Sequence, residues 1–226
     1  MTTTADENPT SHTMGIVLHW AAIYDLLAWL MLFGRERVFR EKMVDLACIQ
    51  PGESVLDVGC GTGTLAIATK RRVGPTGTVY GIDASPEMIA RATKKARKAG
   101  VEVIFKNGVV EALPFPDTQF DAVLSSLMLH HLPSKARRVC ASEIRRVLKP
   151  GGRMLAVDFG EAARERRGFL AHFHRHGQVN LHDVIAVLRE AGLTISKSGL
   201  MGVRDLHFVF ATAPSADSKK LSDSIR

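Results

Sequence analysis

The chain holds only three cysteines, two tryptophans and two tyrosines in 226 residues. An odd number of cysteines without metal-ligand spacing offers no disulfide framework and suits a reducing compartment. Cys60 falls in a glycine-rich loop, while Cys48 and Cys140 fall in helical patterns. All three read as packing residues rather than nucleophiles or soft-metal ligands, which argues against an arsenite or metal-thiolate substrate. So few aromatics leave little surface for base stacking, and the basic residues behind the net charge of +7 are scattered rather than interleaved with aromatics. Arg91, Lys94, Lys95, Arg97 and Lys98 share one helical segment whose ordinary role is a solvated outer face, so no nucleic-acid partner is expected. The opening MTTTADENPTSHT is polar and lacks a basic n-region, so no secretory leader is read there and a cytoplasmic location is expected. No internal repeat is visible. Residues 1–13 and 214–226 read as disordered tails, leaving 14–213 as one domain large enough to bury a sizeable core.

What is present is concentrated in one run, Val55-Leu56-Asp57-Val58-Gly59-Cys60-Gly61-Thr62-Gly63-Thr64. An apolar strand ends in an acid and three alternating glycines, and a helical pattern follows. A turn this tight needs residues that tolerate positive φ and let a ligand lie against bare backbone. A dinucleotide fingerprint is G-x-G-x-x-G, whereas these glycines stand at 59, 61 and 63, so the third comes one residue early. That spacing disfavours NAD or FAD. Asp57 puts a carboxylate near the loop, which repels a pyrophosphate and attracts a cationic ligand. Twenty residues after Gly63, Asp83 closes a second apolar run, where an acid can accept hydrogen bonds from both hydroxyls of a ribose. The competing role for Asp83 is a helix N-cap, though Ser85 followed by Pro86 suits that task better.

With the blocks VLDVGCGTGTLA (55–66), VYGIDASPEMIARA (79–92), EALPFPDTQFDAVLSSLMLHHL (111–132) and EIRRVLKPGGRMLAVDF (143–159) in this order, the chain resembles the class I S-adenosylmethionine-dependent methyltransferases. Within them it is similar to the ubiquinone/menaquinone-biosynthesis C-methyltransferase group. The resemblance covers roughly residues 16–160 and implies S-adenosylmethionine as cofactor. Gly59, Cys60, Gly61, Thr62 and Gly63 would line its loop, and Asp83 with Ala84 would anchor the adenosine. Met88 would pack on adenine or belong to the ordinary core. Ser126 would lie beside the methionine part. One position departs from the pattern: where the family commonly has Asp or Asn to hold the adenine amino group, this chain has Val109, followed by Val110. Valine cannot accept that bond, so recognition would fall to backbone groups there.

The segment Ile16 to Phe33 carries only His19 and Asp25 as clearly polar groups in eighteen residues, close to the length of a membrane span. A spanning helix would bury the carboxylate at a cost of roughly 2.5 to 3.5 kcal/mol. The resemblance implies instead that helices over 14–48, with the pair Tyr24-Asp25, fold over the cofactor as a lid. Trp20, Trp29, Met31, Leu32 and Phe33 can form an apolar mouth, and Arg35, Arg37, Arg40 and Lys42 can meet anionic headgroups on the inner membrane surface. Further on, His172, His174 and His176 are alternate residues that share a face if extended and can hold zinc. The alternative is a loop that is merely His-rich.

Strand patterns near 54–58, 78–82, 102–106, 119–125, 152–158, 193–198 and 205–212 alternate with helical patterns near 64–72, 86–99, 135–148 and 181–191. This predicts an α/β fold, a doubly wound, mostly parallel seven-stranded sheet with an antiparallel end. The cofactor core is expected over 53–158 and the substrate side over 159–213. Methyl transfer needs a base only when the acceptor must lose a proton, as a phenol or an activated ring carbon must. His130 and His131, placed at the tip of the fourth strand, are the candidates. The expected activity is methyl transfer to a small apolar acceptor such as a quinol or phenol. The alternatives are a phospholipid N-methyltransferase at the membrane surface and a non-catalytic cofactor- or metal-binding protein.

Overall fold

The computed structural model describes residues 36–160, 181–203 and 205–215. The expectations placed on the tails, on the apolar run 16–33, on Tyr24 and on His172, His174 and His176 lie outside these residues.

The described chain runs α1 (Glu36–Leu46), β1 (Ser54–Val58), α2 (Thr64–Val73), β2 (Thr78–Asp83), α3 (Pro86–Lys98), β3 (Ile104–Asn107), β4 (Phe120–Ser126), a 3₁₀ turn (Leu129–His131), α4 (Ser134–Val147), β5 (Leu148–Phe159), α5 (Leu181–Glu190), β6 (Thr194–Leu200) and β7 (Leu206–Thr212). The seven strands form one sheet in the order β3-β2-β1-β4-β5-β7-β6. The first five are parallel, and β7 runs antiparallel to both β5 and β6. The strand order reverses between β1 and β4, which opens a crevice at their carboxyl ends.

Side-chain alternation along β1 divides its residues between two cores. Val55 joins Phe39, Met43, Leu65, Leu124 and Leu155 on the face that carries α1 and α2. Leu56 and Val58 join Phe120, Val123, Ile144 and Leu188 on the face that carries α4 and α5. Asp57 therefore points to the α1 face, although it lies between two fully buried apolar neighbours. On the opposite face Tyr80, Phe115 and Phe120 meet edge to face, with ring centroids 5.1 to 5.6 Å apart, and so brace β2 against β4.

Pro150-Gly151-Gly152 lies inside β5, which starts at Leu148 rather than at the strand pattern read near 152–158. Leu148 already pairs with Phe120, the register then shifts, and Arg153 pairs with Ala122. The positive φ of Gly151, 74°, accommodates that excursion within one long strand. Cys48 also departs from expectation: α1 ends at Leu46, and Cys48 is exposed in the following turn rather than packed in a helix.

Candidate functional site: a glycine loop at the sheet's switch point

The loop between β1 and α2 takes positive φ at Gly59, Gly61 and Gly63, at 64°, 51° and 77°. The Gly61 amide donates to Asp83 Oδ2 at 2.8 Å, and the Ser85 amide donates to Asp83 Oδ1 at 2.9 Å. The Asp83 carboxylate thus ties the loop to the entry of α3. Each oxygen retains lone pairs for a further donor, as a ribose diol requires. Burial raises the Asp83 pKa above the usual carboxylate value, and the two amides oppose that rise. Ser85, not Asp83, caps α3: its Oγ accepts from the Met88 amide at 3.2 Å, with proline in the first turn.

Asp57 is 1% exposed. Burial pushes its carboxyl up to about 7, while the Arg40 charge and a hydrogen bond from the Ala66 amide pull the other way. That amide lies in the first turn of α2, whose N-cap, Gly63, offers no side-chain acceptor. Asp57 Oδ2 is buried without a hydrogen-bond partner, and so is Arg40 Nε. Arg40 itself reaches from α1 to Ser126 at the end of β4, its Nη1 donating to Oγ at 2.6 Å. Directly after Ser126 the chain turns through Leu127 at φ 55°, a conformation that costs a non-glycine residue about 1–3 kcal/mol and gathers at functional sites. Met128 lies over the loop, and a Cβ added to Gly59 would stand 2.2 Å from its Cγ.

The remaining candidates spread around this centre. Met88 is buried yet outside both main core clusters, whereas Val110 belongs to the α4-side core. Val109 is buried, and its carbonyl accepts from the Ala112 amide at 3.3 Å. Ala84 is half-buried beside Asp83. Cys60 is buried, and burial with the nearby Asp57 and Asp83 charges pushes its thiol up, which makes it inert packing. Thr62 is buried, and its Oγ1 accepts from Lys95 Nζ at 2.8 Å. Lys95 is therefore not part of a purely solvated face.

His130 and His131 sit in the 3₁₀ turn beyond β4 rather than at its tip, with ring centroids 3.9 Å apart. His130 Nδ1 is 2.7 Å from Asp158 Oδ1 on β5, and Phe159 packs edge-on against the ring at 5.1 Å. Sequence reading missed Asp158. The available signal was an acid at the carboxyl end of the fifth strand pattern, level with the histidines in a parallel sheet. It also missed Asn107, whose Nδ2 donates to the Asp83 carbonyl at 2.9 Å.

Among the described residues no group of three or more His, Cys, Asp or Glu is arranged to hold a metal. No described helix is long and apolar enough to cross a membrane. Of the basic run after residue 33, Arg35 lies outside the described residues and Arg37 is exposed, its Nε donating to Glu41 Oε1 at 2.8 Å. Arg40 is buried, and Lys42 donates to the Met201 carbonyl at 2.7 Å.

A parallel sheet reversing at β1/β4, a glycine loop at the end of β1 and an acid at the tip of β2 make a Rossmann-like fold. Residues 55–152 match the family described as "Methyltransferase domain". The chain is 40% identical over 136 residues to the demethylmenaquinone methyltransferase of Thermus thermophilus, an alignment covering 60% of each chain. It is 37% identical over 143 residues to the ubiquinone/menaquinone biosynthesis C-methyltransferase UbiE of Enterobacter sp., covering 62% of this chain and 56% of that one. The chain thus spans less than two thirds of the length of these relatives. A crystal structure of a SAM-dependent methyltransferase from Aquifex aeolicus superposes with a TM-score of 0.70 at 24% identity, covering 85% of this chain and 97% of that one, and shows the fold.

Proposed function

We propose that this chain transfers a methyl group from S-adenosylmethionine to a small apolar ring acceptor, a quinol or phenol. The observation that carries the reading is the joining of the glycine loop to Asp83 through the Gly61 amide. Together they form a backbone cradle with an acidic tip, suited to a ribose and ill-suited to phosphate. The buried pair Asp57 and Arg40 beside it offers both signs of charge to the amino-acid end of such a cofactor. When bound, the cofactor supplies an electrophilic methyl on a sulfonium.

The chain's own residues align and deprotonate. Asp158 fixes His130 through Nδ1, which leaves Nε2 to take the hydroxyl proton of a phenol or quinol and so raise electron density on its ring. The names of the two curated relatives point to quinone-biosynthesis substrates for those proteins, and a ring acceptor with an ionisable hydroxyl matches a histidine held in this way.

The test is transfer of tritiated methyl from S-adenosylmethionine to a panel of short-chain naphthoquinols, catechols and phenols. Label in the ring of at least one naphthoquinol is expected. Cofactor binding without transfer to any ring acceptor would overturn the substrate class.

A further inference from the structure

Two arginines stand side by side near the start of α4 and have opposite surroundings. Arg138 is exposed and pairs with Glu190 at 3.2 Å, whereas Arg137 is buried, at 6% exposure. A guanidinium has five donors, and burying one is costly unless acceptors surround it. Arg137 directs its donors at two main-chain carbonyls: Nη2 donates to the Leu132 oxygen at 2.8 Å and Nε to the Leu129 oxygen at 3.3 Å. These two carbonyls bracket His130 and His131, because Leu129 opens the 3₁₀ turn and Leu132 closes it.

Little else holds that turn. Its own bonds run from the His131 amide to the Met128 carbonyl at 2.9 Å and from the Leu132 amide to the Leu129 carbonyl at 3.2 Å, in a geometry weaker than that of an α-helix. Pro133, the N-cap of α4, makes no side-chain capping bond. A small cavity lined by Leu129, Ile144, Val184 and Leu188 lies against Arg137, so apolar packing alone leaves the turn room to shift. Burial lowers the Arg137 pKa, and the charges of Asp183 on α5 and Asp158 on β5 oppose that fall. Asp158 is the acid that holds the His130 ring and amide. The arginine thus reaches both supports of the histidine, the carbonyls that flank it by hydrogen bonds and the carboxylate that fixes it by charge.

We propose that Arg137 is a positioning residue for methyl transfer: by bracketing the 3₁₀ turn through Leu129 and Leu132, it keeps the His130 ring in the one neutral state, protonated at Nδ1, whose Nε2 can take the acceptor's hydroxyl proton. Its action runs through His130. This rests on the reading of His130 as the base.

The experiment is nitrogen NMR of the histidine rings in the full chain at pH 8, with the His130 signals assigned by their loss in His130→Gln. Turnover is measured beside it with the ring acceptor that the tritium assay labels. Wild type is expected to show a single tautomer protonated at Nδ1. Arg137→Met, whose flexible apolar side chain suits a buried site, is expected to show mixed tautomers. Its turnover should fall by about 10- to 100-fold, with the Michaelis constant for S-adenosylmethionine within about twofold of wild type. An unchanged ring state in Arg137→Met would overturn the inference whatever the turnover, with the base reading intact, and so would mixed tautomers already present in wild type. His130→Ala turning over as fast as wild type would sink the base reading, and the inference with it. If Arg137→Met fails to fold, Arg137→Lys keeps the charge but lacks the fork that spans both carbonyls. Mixed tautomers are then still expected, and a ring state like that of wild type counts against the inference.

Discussion

One carboxylate, that of Asp158, holds both the ring and the main chain of His130: Nδ1 stands 2.7 Å from Oδ1 while the His130 amide donates to Oδ2 at 3.2 Å. Its Oδ1 also accepts from the Phe159 amide at 2.8 Å, so the acid is itself fixed by the end of β5. This pairing fixes the ring and main chain of His130 to the end of β5 without any residue from the glycine loop.

If His130 removes the acceptor's proton, His130→Ala lowers turnover by about 10²- to 10⁴-fold and leaves S-adenosylhomocysteine affinity unchanged. Asp158→Asn lowers turnover less, because the ring remains but its tautomer and direction are no longer set. Steady-state rates beside calorimetric binding check both. A parallel loss of binding in either variant would make the pair structural.

Asp57 makes stability depend on pH in a direction opposite to most paired carboxylates. Its folded pKa is about 7 against an ordinary 3.8, so between those values the folded state holds a proton that the unfolded chain has released. This group therefore opposes folding increasingly as pH rises through that window, and its unfavourable contribution vanishes below it. Urea midpoints of wild type and Asp57→Asn at pH 5 and pH 8 are expected to diverge in favour of the variant at pH 8. A constant difference across pH would show that Asp57 is ionised throughout.

Val109 leaves the position where the resembled family places an adenine acceptor without one. Val109→Asp is expected to tighten S-adenosylhomocysteine binding by about tenfold through a charge-assisted bond. It should also lower thermal stability, since the side chain is only 7% exposed. Weaker binding in the variant would show that adenine is read elsewhere, with Asn107 beside the Asp83 carbonyl the next residue to replace.

Gly63 serves packing as well as the turn. At φ 77° an added Cβ would stand 2.7 Å from the Phe105 ring and 2.9 Å from Ala92 Cβ. Gly63→Ala is expected to cost about 2–4 kcal/mol, summing a strained backbone and an overfilled contact between α2, α3 and β3. Denaturant unfolding reads it directly, and a cost below about 1 kcal/mol would mean that α3 shifts freely.

Much of this architecture was legible because it is local. β1 was expected over 54–58 and is found at Ser54–Val58, where an apolar run meets a glycine that must turn. The Ser85-Pro86 start of α3 was legible for the same reason. β3 was misplaced by two residues, at 102–106 against Ile104–Asn107, because an edge strand with exposed positions carries a weak apolar signal. Lys95 looked like one of several solvent-facing cations, and nothing in its helix reveals that Thr62, 33 positions earlier, lies within reach of its amine.

What the sequence determined by itself was the set of elements, their alternation, and the loop chemistry that disfavours a dinucleotide, since periodicity and glycine spacing are properties of neighbouring residues. Only the tertiary structure decided which distant groups meet: Arg40 with Ser126 across 86 positions, His130 with Asp158 across 28, and Asp57 buried far enough for its carboxyl to be pushed up to about 7. Those relations follow from strand order and from the depth at which α1 docks, and burial of charge is a property of the whole packed core rather than of any segment.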